Sequence, residues 1–81
     1  MNDSETSYRP ISCANYDVFE IAIVQHSHLH LTWGEDNVLH DQTVTPLNLE
    51  TLKGEEFLIA RLSTGELLRI RLDRIRKVRP A

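Results

Sequence analysis

Cysteine is nearly absent from this chain: Cys13 is the single one in 81 residues. No intramolecular disulfide framework can form, and the composition fits a reducing compartment. Glycine is almost as scarce. Gly34, Gly54 and Gly65 stand alone, each in a turn-like context, so no glycine-rich loop is there to cradle a phosphate. No apolar run approaches the roughly 18–20 residues that cross a bilayer. The opening Met1-Asn2-Asp3-Ser4-Glu5-Thr6-Ser7 is polar and acidic, unlike a signal peptide. Internal repeats and low-complexity tracts are missing too. A cytoplasmic protein is expected, with a disordered leader over residues 1–7 and a single domain over residues 8–81. A chain this short buries only roughly 60–65% of its unfolded surface, which leaves little room for a deep catalytic cleft.

Basic residues are the other shortage, and it is a local one. Residues 1–60 hold ten acidic groups against Arg9 and Lys53, a net of −8. Residues 61–81 hold seven basic groups against Glu66 and Asp73, a net of +5, which brings the chain to −3. Two readings of this split are open. The charges could neutralise each other across a sheet, or they could face charged partners.

What is present reads as one helix followed by short strands. Asn15 can cap a helix starting at Tyr16, with Asp17 in the first turn, where the helix dipole favours negative charge. Phe19, Ala22 and Ile23 fall at i, i+3, i+4, and Val18 and Ile21 widen the apolar face. His26 stands at the C-terminal end, where a donor suits the free carbonyls. The period then changes to 2. In His28-Leu29-His30-Leu31-Thr32-Trp33 the apolar residues share one face and the polar ones the other.

Gly34 to Asn37 is a turn, and Val38 to Thr45 a second, more polar strand. Pro46 is expected to end it, with a loop over residues 46–54. Glu55 to Leu62 is a third strand, and Ser63 to Glu66 a hairpin turn. Leu67 to Leu72 is a fourth, with Leu68, Ile70 and Leu72 inside and Arg69 and Arg71 outside. Asp73-Arg74-Ile75 bends into a last short strand, Arg76-Lys77-Val78. The predicted fold is mainly β: an N-terminal α-helix followed by a small five-stranded antiparallel Sm-like (SH3-like) barrel. The polar second strand and the charged last strand argue for a monomer.

Candidate chemistry is thin. His26, His28 and His30, with His40 and Asp41 on the next strand, invite a zinc hypothesis, but solvated surface histidines are the plainer reading and no metal site is assigned. Cys13 has no catalytic motif around it and suits a small buried position. Glu55 and Glu56 alternate sides of a strand and do not converge for acid–base work. The chain is not expected to be an enzyme, or to need a cofactor or small-molecule substrate. Arg69, Arg71, Arg76 and Lys77 could bind RNA phosphates, but those strands lack aromatic stacking platforms and the domain is acidic overall, so direct nucleic-acid binding is not expected. The acidic helix start is the stronger surface. Asp17 and Glu20 share a side, Tyr16 lies beside them, and Asp3 and Glu5 add to the field. Such a surface suits a basic protein partner.

One set of spaced residues goes further. Tyr8, Pro10, Ile11, Cys13, Tyr16, Asp17, Glu20 and His26, together with Leu68-Arg69-Ile70-Arg71-Leu72-Asp73-Arg74-Ile75, resemble the Rho-binding antiterminator family (Rof, also called YaeO). The resemblance runs from about Tyr8 to Val78. It implies a small bacterial Sm-like protein that binds the transcription termination factor Rho. Such a protein docks on the RNA-binding N-terminal region of Rho, obstructs the primary RNA site and inhibits Rho-dependent termination, without catalysis or cofactor. By position it points to Tyr16, Asp17 and Glu20 as contact residues. The candidate interface is Asn15, Tyr16, Asp17 and Glu20, with Asp3, Glu5 and Glu50 as outlying members. Ala14-Asn15 departs from the family, which often has two acidic residues there. Ile23 or a neighbour stands where the family often has a cysteine.

Overall fold

The computed structural model describes residues 13–81, with side chains described from Tyr16 onward. The expected leader and the residues Asp3 and Glu5 lie outside that range. Helix α1 spans Cys13–Gln25. It presses Phe19 and Ala22 fully into the core, with Tyr16, Val18 and Ile23 half-buried around them. Burying the Phe19 ring stabilises by about 2–3 kcal/mol, and this anchoring sustains a helix too short to be stable alone.

The helix starts earlier than its local signals suggest. Asn15 is its third residue rather than its cap, and Cys13 is helical rather than extended. Ala14 is the best of helix formers, so nothing in the sequence opposes the extra turn. Asp17 therefore lies one turn further in than expected, and the first turn carries no acidic residue. Ile21 does not widen the buried face; it is exposed.

The C-terminal end closes on backbone donors rather than on an imidazole. His26 adopts a left-handed φ of 57°. Its amide donates to the Ile23 carbonyl at 3.3 Å, and the Ser27 amide to the Ala22 carbonyl at 2.9 Å. These two bonds form a Schellman motif, with histidine where glycine is usual.

Five strands follow: β1 Leu29–Glu35, β2 Val38–Leu52, β3 Glu55–Leu62, β4 Leu67–Arg71 and β5 Ile75–Pro80. They form one antiparallel sheet in the order β4-β3-β2-β1-β5. This is the expected helix-first, five-stranded architecture. The 3-10 turn η1, Leu72–Arg74, joins the two strands at the ends of that order. Period-2 alternation places Leu29, Leu31 and Trp33 inside, with Val44, Leu58, Ala60, Ile70 and Leu72 against them.

Two tight hairpins set the register. Asp36 and Asn37, φ 53° and 62°, connect the Glu35–Val38 pair. Lys53 and Gly54, φ 53° and 79°, connect the Leu52–Glu55 pair. Both have the two successive positive φ values that match the right-handed twist of the flanking strands.

Residues 46–52 are strand, not loop, and Pro46 does not end β2. Pairing of β2 with β1 ends at Val44–Leu29, so beyond that point, among the described residues, β2 has a hydrogen-bonded neighbour on the β3 side alone. A register shift between Pro46 and Asn48 marks a bulge there. An absent N–H is tolerated at such a place, and Pro46 is fully buried. The fourth strand ends at Arg71, with Leu72 in η1, and the last strand is longer than expected, reaching Pro80.

Candidate functional site

The outward face of α1 is read directly from helical spacing. Asp17, Glu20, Ile21 and Val24 fall at i, i+3, i+4, i+7, and all four are exposed. The stripe is acidic at its N-terminal half and apolar at its C-terminal half. Ile21 is 55% and Val24 78% exposed, so the helix keeps two branched apolar side chains in water on the side away from the core.

Tyr16 joins this stripe to the barrel. It is half-buried and packs against the core cluster. Burial raises its phenol above the ordinary 10.0, and the carboxylates of Glu56 and then Glu20 add to the effect. Glu56 thus belongs to the same acidic field although it lies on β3. The alternation on β3 divides the two adjacent glutamates. Glu56 acts on the Tyr16 phenol, whereas Glu55 pairs with Arg71 at 3.5 Å. Asn15 is helical, and its side chain lies outside the described residues. Glu50, the outlying candidate on β2, pairs with Arg69 at 3.2 Å.

The arginines of β4 are in use within the fold. Pairing places Glu50, Phe57 and Arg71 in line across β2, β3 and β4, with Ile59 opposite Arg69. Arg69 reaches across Phe57, 5.8 Å from the ring centroid, to Glu50. Arg71 grips Asp73 at two points, Nε to Oδ1 at 2.9 Å and Nη2 to Oδ2 at 2.6 Å. The Asp73 side chain is only 8% exposed, so this fork braces the β4–η1 corner. Arg76 and Lys77 lie on β5, at the other end of the strand order. The four basic residues are thus divided between two strands, and the two on β4 carry carboxylate partners.

The histidines disperse. His30 pairs with Asp41, and its Nδ1 lies 3.2 Å from Thr43 Oγ1. His40 stacks on Trp33 across the β1–β2 pair, with ring centroids 5.1 Å apart and planes at 17°. His28 is exposed just before β1. Among the described residues no three His, Cys, Asp or Glu side chains gather as metal ligands would. No described helix is long and apolar enough to cross a membrane.

Glu56, Ile21 and Val24 were not legible as surface members from sequence. Glu56 joins through long-range packing, which has no local signal. Ile21 and Val24 carry a signal only once Phe19 and Ala22 fix which side of the helix is inside.

Comparison with known proteins adds the following. The family model described as "Modulator of Rho-dependent transcription termination (ROF)" matches residues 10–81. No curated protein matches the chain. Among solved structures, the proteasome accessory factor B/C (PafBC) of Arthrobacter aurescens superposes with a TM-score of 0.76 at 21% identity. The match covers 91% of this chain but 12% of that one, and at this identity it speaks to the fold alone.

Proposed function

Because the chain belongs to the family of modulators of Rho-dependent transcription termination, we propose that it inhibits termination by binding Rho itself. In this reading it docks on the RNA-binding N-terminal region of Rho and keeps RNA out. The observation that carries the reading is the exposed Asp17–Glu20 edge of α1, backed by Tyr16 and Glu56. RNA is a polyanion, so the surface that receives it must present cations. A protein face bearing several carboxylates competes for the same cations, and no conformational switch is needed.

Close charge pairs across an interface contribute about 1.5–7 kcal/mol of coupling in favourable cases. Two carboxylates meeting arginines would then dominate the affinity. Ile21 and Val24 extend the contact with apolar area on the same helix face. The carboxylate partners of Arg69 and Arg71 weigh against the alternative of an RNA-binding module built on Arg69, Arg71, Arg76 and Lys77.

Titration of purified Rho with the protein, with labelled RNA as competitor, tests the proposal. Displacement of RNA that weakens as salt rises is the expected result. Simultaneous binding of both ligands without mutual interference would overturn it.

A further inference from the structure

The basic residues of the last two strands fall into two groups. Arg69 and Arg71 on β4 are matched by carboxylates. Arg76, Lys77 and Arg79 on β5 are all exposed. Among the described residues, none of these three is paired with a carboxylate.

A bulge brings the three to one face of the sheet. Thr32 pairs with Lys77 and Trp33 with Ile75, so Arg76 is the extra residue between them. Ile75 and Val78 pack on the core, which leaves Lys77 and Arg79 on the outer face. Strict alternation would send Arg76 to the other side; a bulge re-aims such a side chain. Gly34, which follows the inward Trp33 on β1, shows where it goes. A Cβ at Gly34 would lie 3.2 Å from Arg76 Nη2 and 3.3 Å from Nε, so the guanidinium lies across the glycine on the outer face.

The rows that cross this face are polar. Arg79, His30 and Thr43 stand in line over β5, β1 and β2, and Lys77, Thr32 and Asp41 in the next line. His30 meets both Asp41 and Thr43 Oγ1, so these side chains share the face. Asp41 is the one carboxylate of the two rows, and it is paired with His30. Neither row holds an apolar side chain. Glu35 and Asp36 lie past Gly34 at the hairpin tip, beyond the Arg76 end, so the positive excess is greatest at Lys77 and Arg79.

We infer that the outer face of β5 and β1 binds an RNA strand through its phosphates, with Lys77 and Arg79 as the main contacts and Arg76 as the third. Cations flanked by threonine hydroxyls suit a polyanion. A protein partner would want an apolar or aromatic anchor to bury, and the two rows offer none. With no aromatic ring on the face to stack a base, the contact reads charge and not sequence. The net charge of −3 is no obstacle, because the carboxylates are elsewhere or paired and the cations are gathered here. The family acts on transcription termination, where the polyanion at hand is the transcript.

Fluorescence anisotropy of labelled oligouridine, with the protein alone, tests this. Rho is absent, so the outcome does not turn on whether the protein binds Rho. The logarithm of the binding constant should fall against the logarithm of salt with a slope of about −2, from three contacts at about 0.7 each on a single strand. K77A/R79A should weaken binding and flatten the slope to about −0.7, with unchanged circular dichroism because both side chains are exposed. K53A/R61A removes the same charge from exposed sites on the β2–β3 hairpin and β3, and should leave affinity and slope nearly as they were. G34A should cause a smaller loss than K77A/R79A, because the flexible Arg76 side chain can shift. No binding at low salt, equal losses in the two double variants, or tighter binding of a labelled polyglutamate peptide would each overturn the inference.

Discussion

Helix α1 and strand β4 are both charged, yet they offer different things to a partner. On α1 the carboxylates of Asp17 and Glu20 point outward, with no cation paired to them among the described residues. On β4 each arginine meets a carboxylate within the fold: Arg69 meets Glu50, and Arg71 meets Glu55 and Asp73. The sequence carries the excess of positive charge in residues 61–81, but its two arginines on β4 are matched within the fold. Charge counted along a chain is therefore not charge available at its surface. The difference teaches where to look for an interface: at charges the sheet has not matched.

The sharpest way to test that contrast is to reverse the helix charges. D17K/E20K should lower Rho affinity by roughly two orders of magnitude or more, since each close pair turns from attraction to repulsion. Both side chains are exposed, so thermal stability should change by less than about 1 kcal/mol. Isothermal titration against Rho reads the first and thermal unfolding the second. Unchanged affinity would move the interface off this helix.

The next experiment unmatches the β4 arginines. Asp73→Asn removes one charge of a largely buried two-point pair, and should cost about 1–3 kcal/mol in denaturant unfolding. Glu50→Gln breaks an exposed pair and should cost well under about 1 kcal/mol. Together they should expose positive charge on the outer face of β3 and β4. Affinity for oligouridine should rise above the wild-type level and fall again with salt. If it does not rise, internal pairing is not what withholds these arginines from RNA.

The same contrast explains what the sequence revealed and what it hid. The change of period at His28, the inward set Leu29, Leu31 and Trp33, and the helix-first order were legible, because each depends on neighbours a few residues away. The outward pair Asp17 and Glu20 was legible for the same reason. Proline's local rule fails at Pro46 because β1 begins only at Leu29, so its pairing with β2 is over before Pro46 is reached. That one error concealed the second half of β2 and with it the partner of Arg69, since Glu50 lies on the extended part. The approach of Glu56 to Tyr16 and the bulge that aims Arg76 also join distant segments. They were invisible for want of any local pattern.

Tyr16 gives a smaller, pH-dependent reading of the acidic field. Its folded pKa is raised by burial first, then by Glu56 and Glu20. The folded state therefore keeps the phenol proton where the unfolded chain, near 10.0, has begun to lose it. Unfolded protein then binds fewer protons than folded protein, and stability falls as pH rises. The contribution is fully present below pH 10.0 and is lost as pH climbs through the folded value. Y16F lacks this ionisation. Urea unfolding across that range should show the wild type losing more stability than Y16F, and parallel curves would remove Tyr16 from the field.

The smallest effect lies at the end of the helix, where backbone rather than charge is at issue. His26 holds a φ of 57° to close the Schellman motif. A side-chain-bearing residue there pays roughly 1–2 kcal/mol in steric strain that glycine escapes. Glycine also loosens the unfolded chain, which offsets roughly 0.4–1 kcal/mol of the relief. H26G should therefore stabilise by about 0.5–1 kcal/mol, a rise of a few degrees in Tm for a domain of this size. H26A keeps the Cβ and the strain, so it should gain nothing. An equal gain from alanine would trace the effect to the imidazole instead of the φ. The carboxylate contribution to Rho affinity should be unchanged in H26G, because both capping bonds come from the backbone and Glu20 and Asp17 lie roughly two turns away.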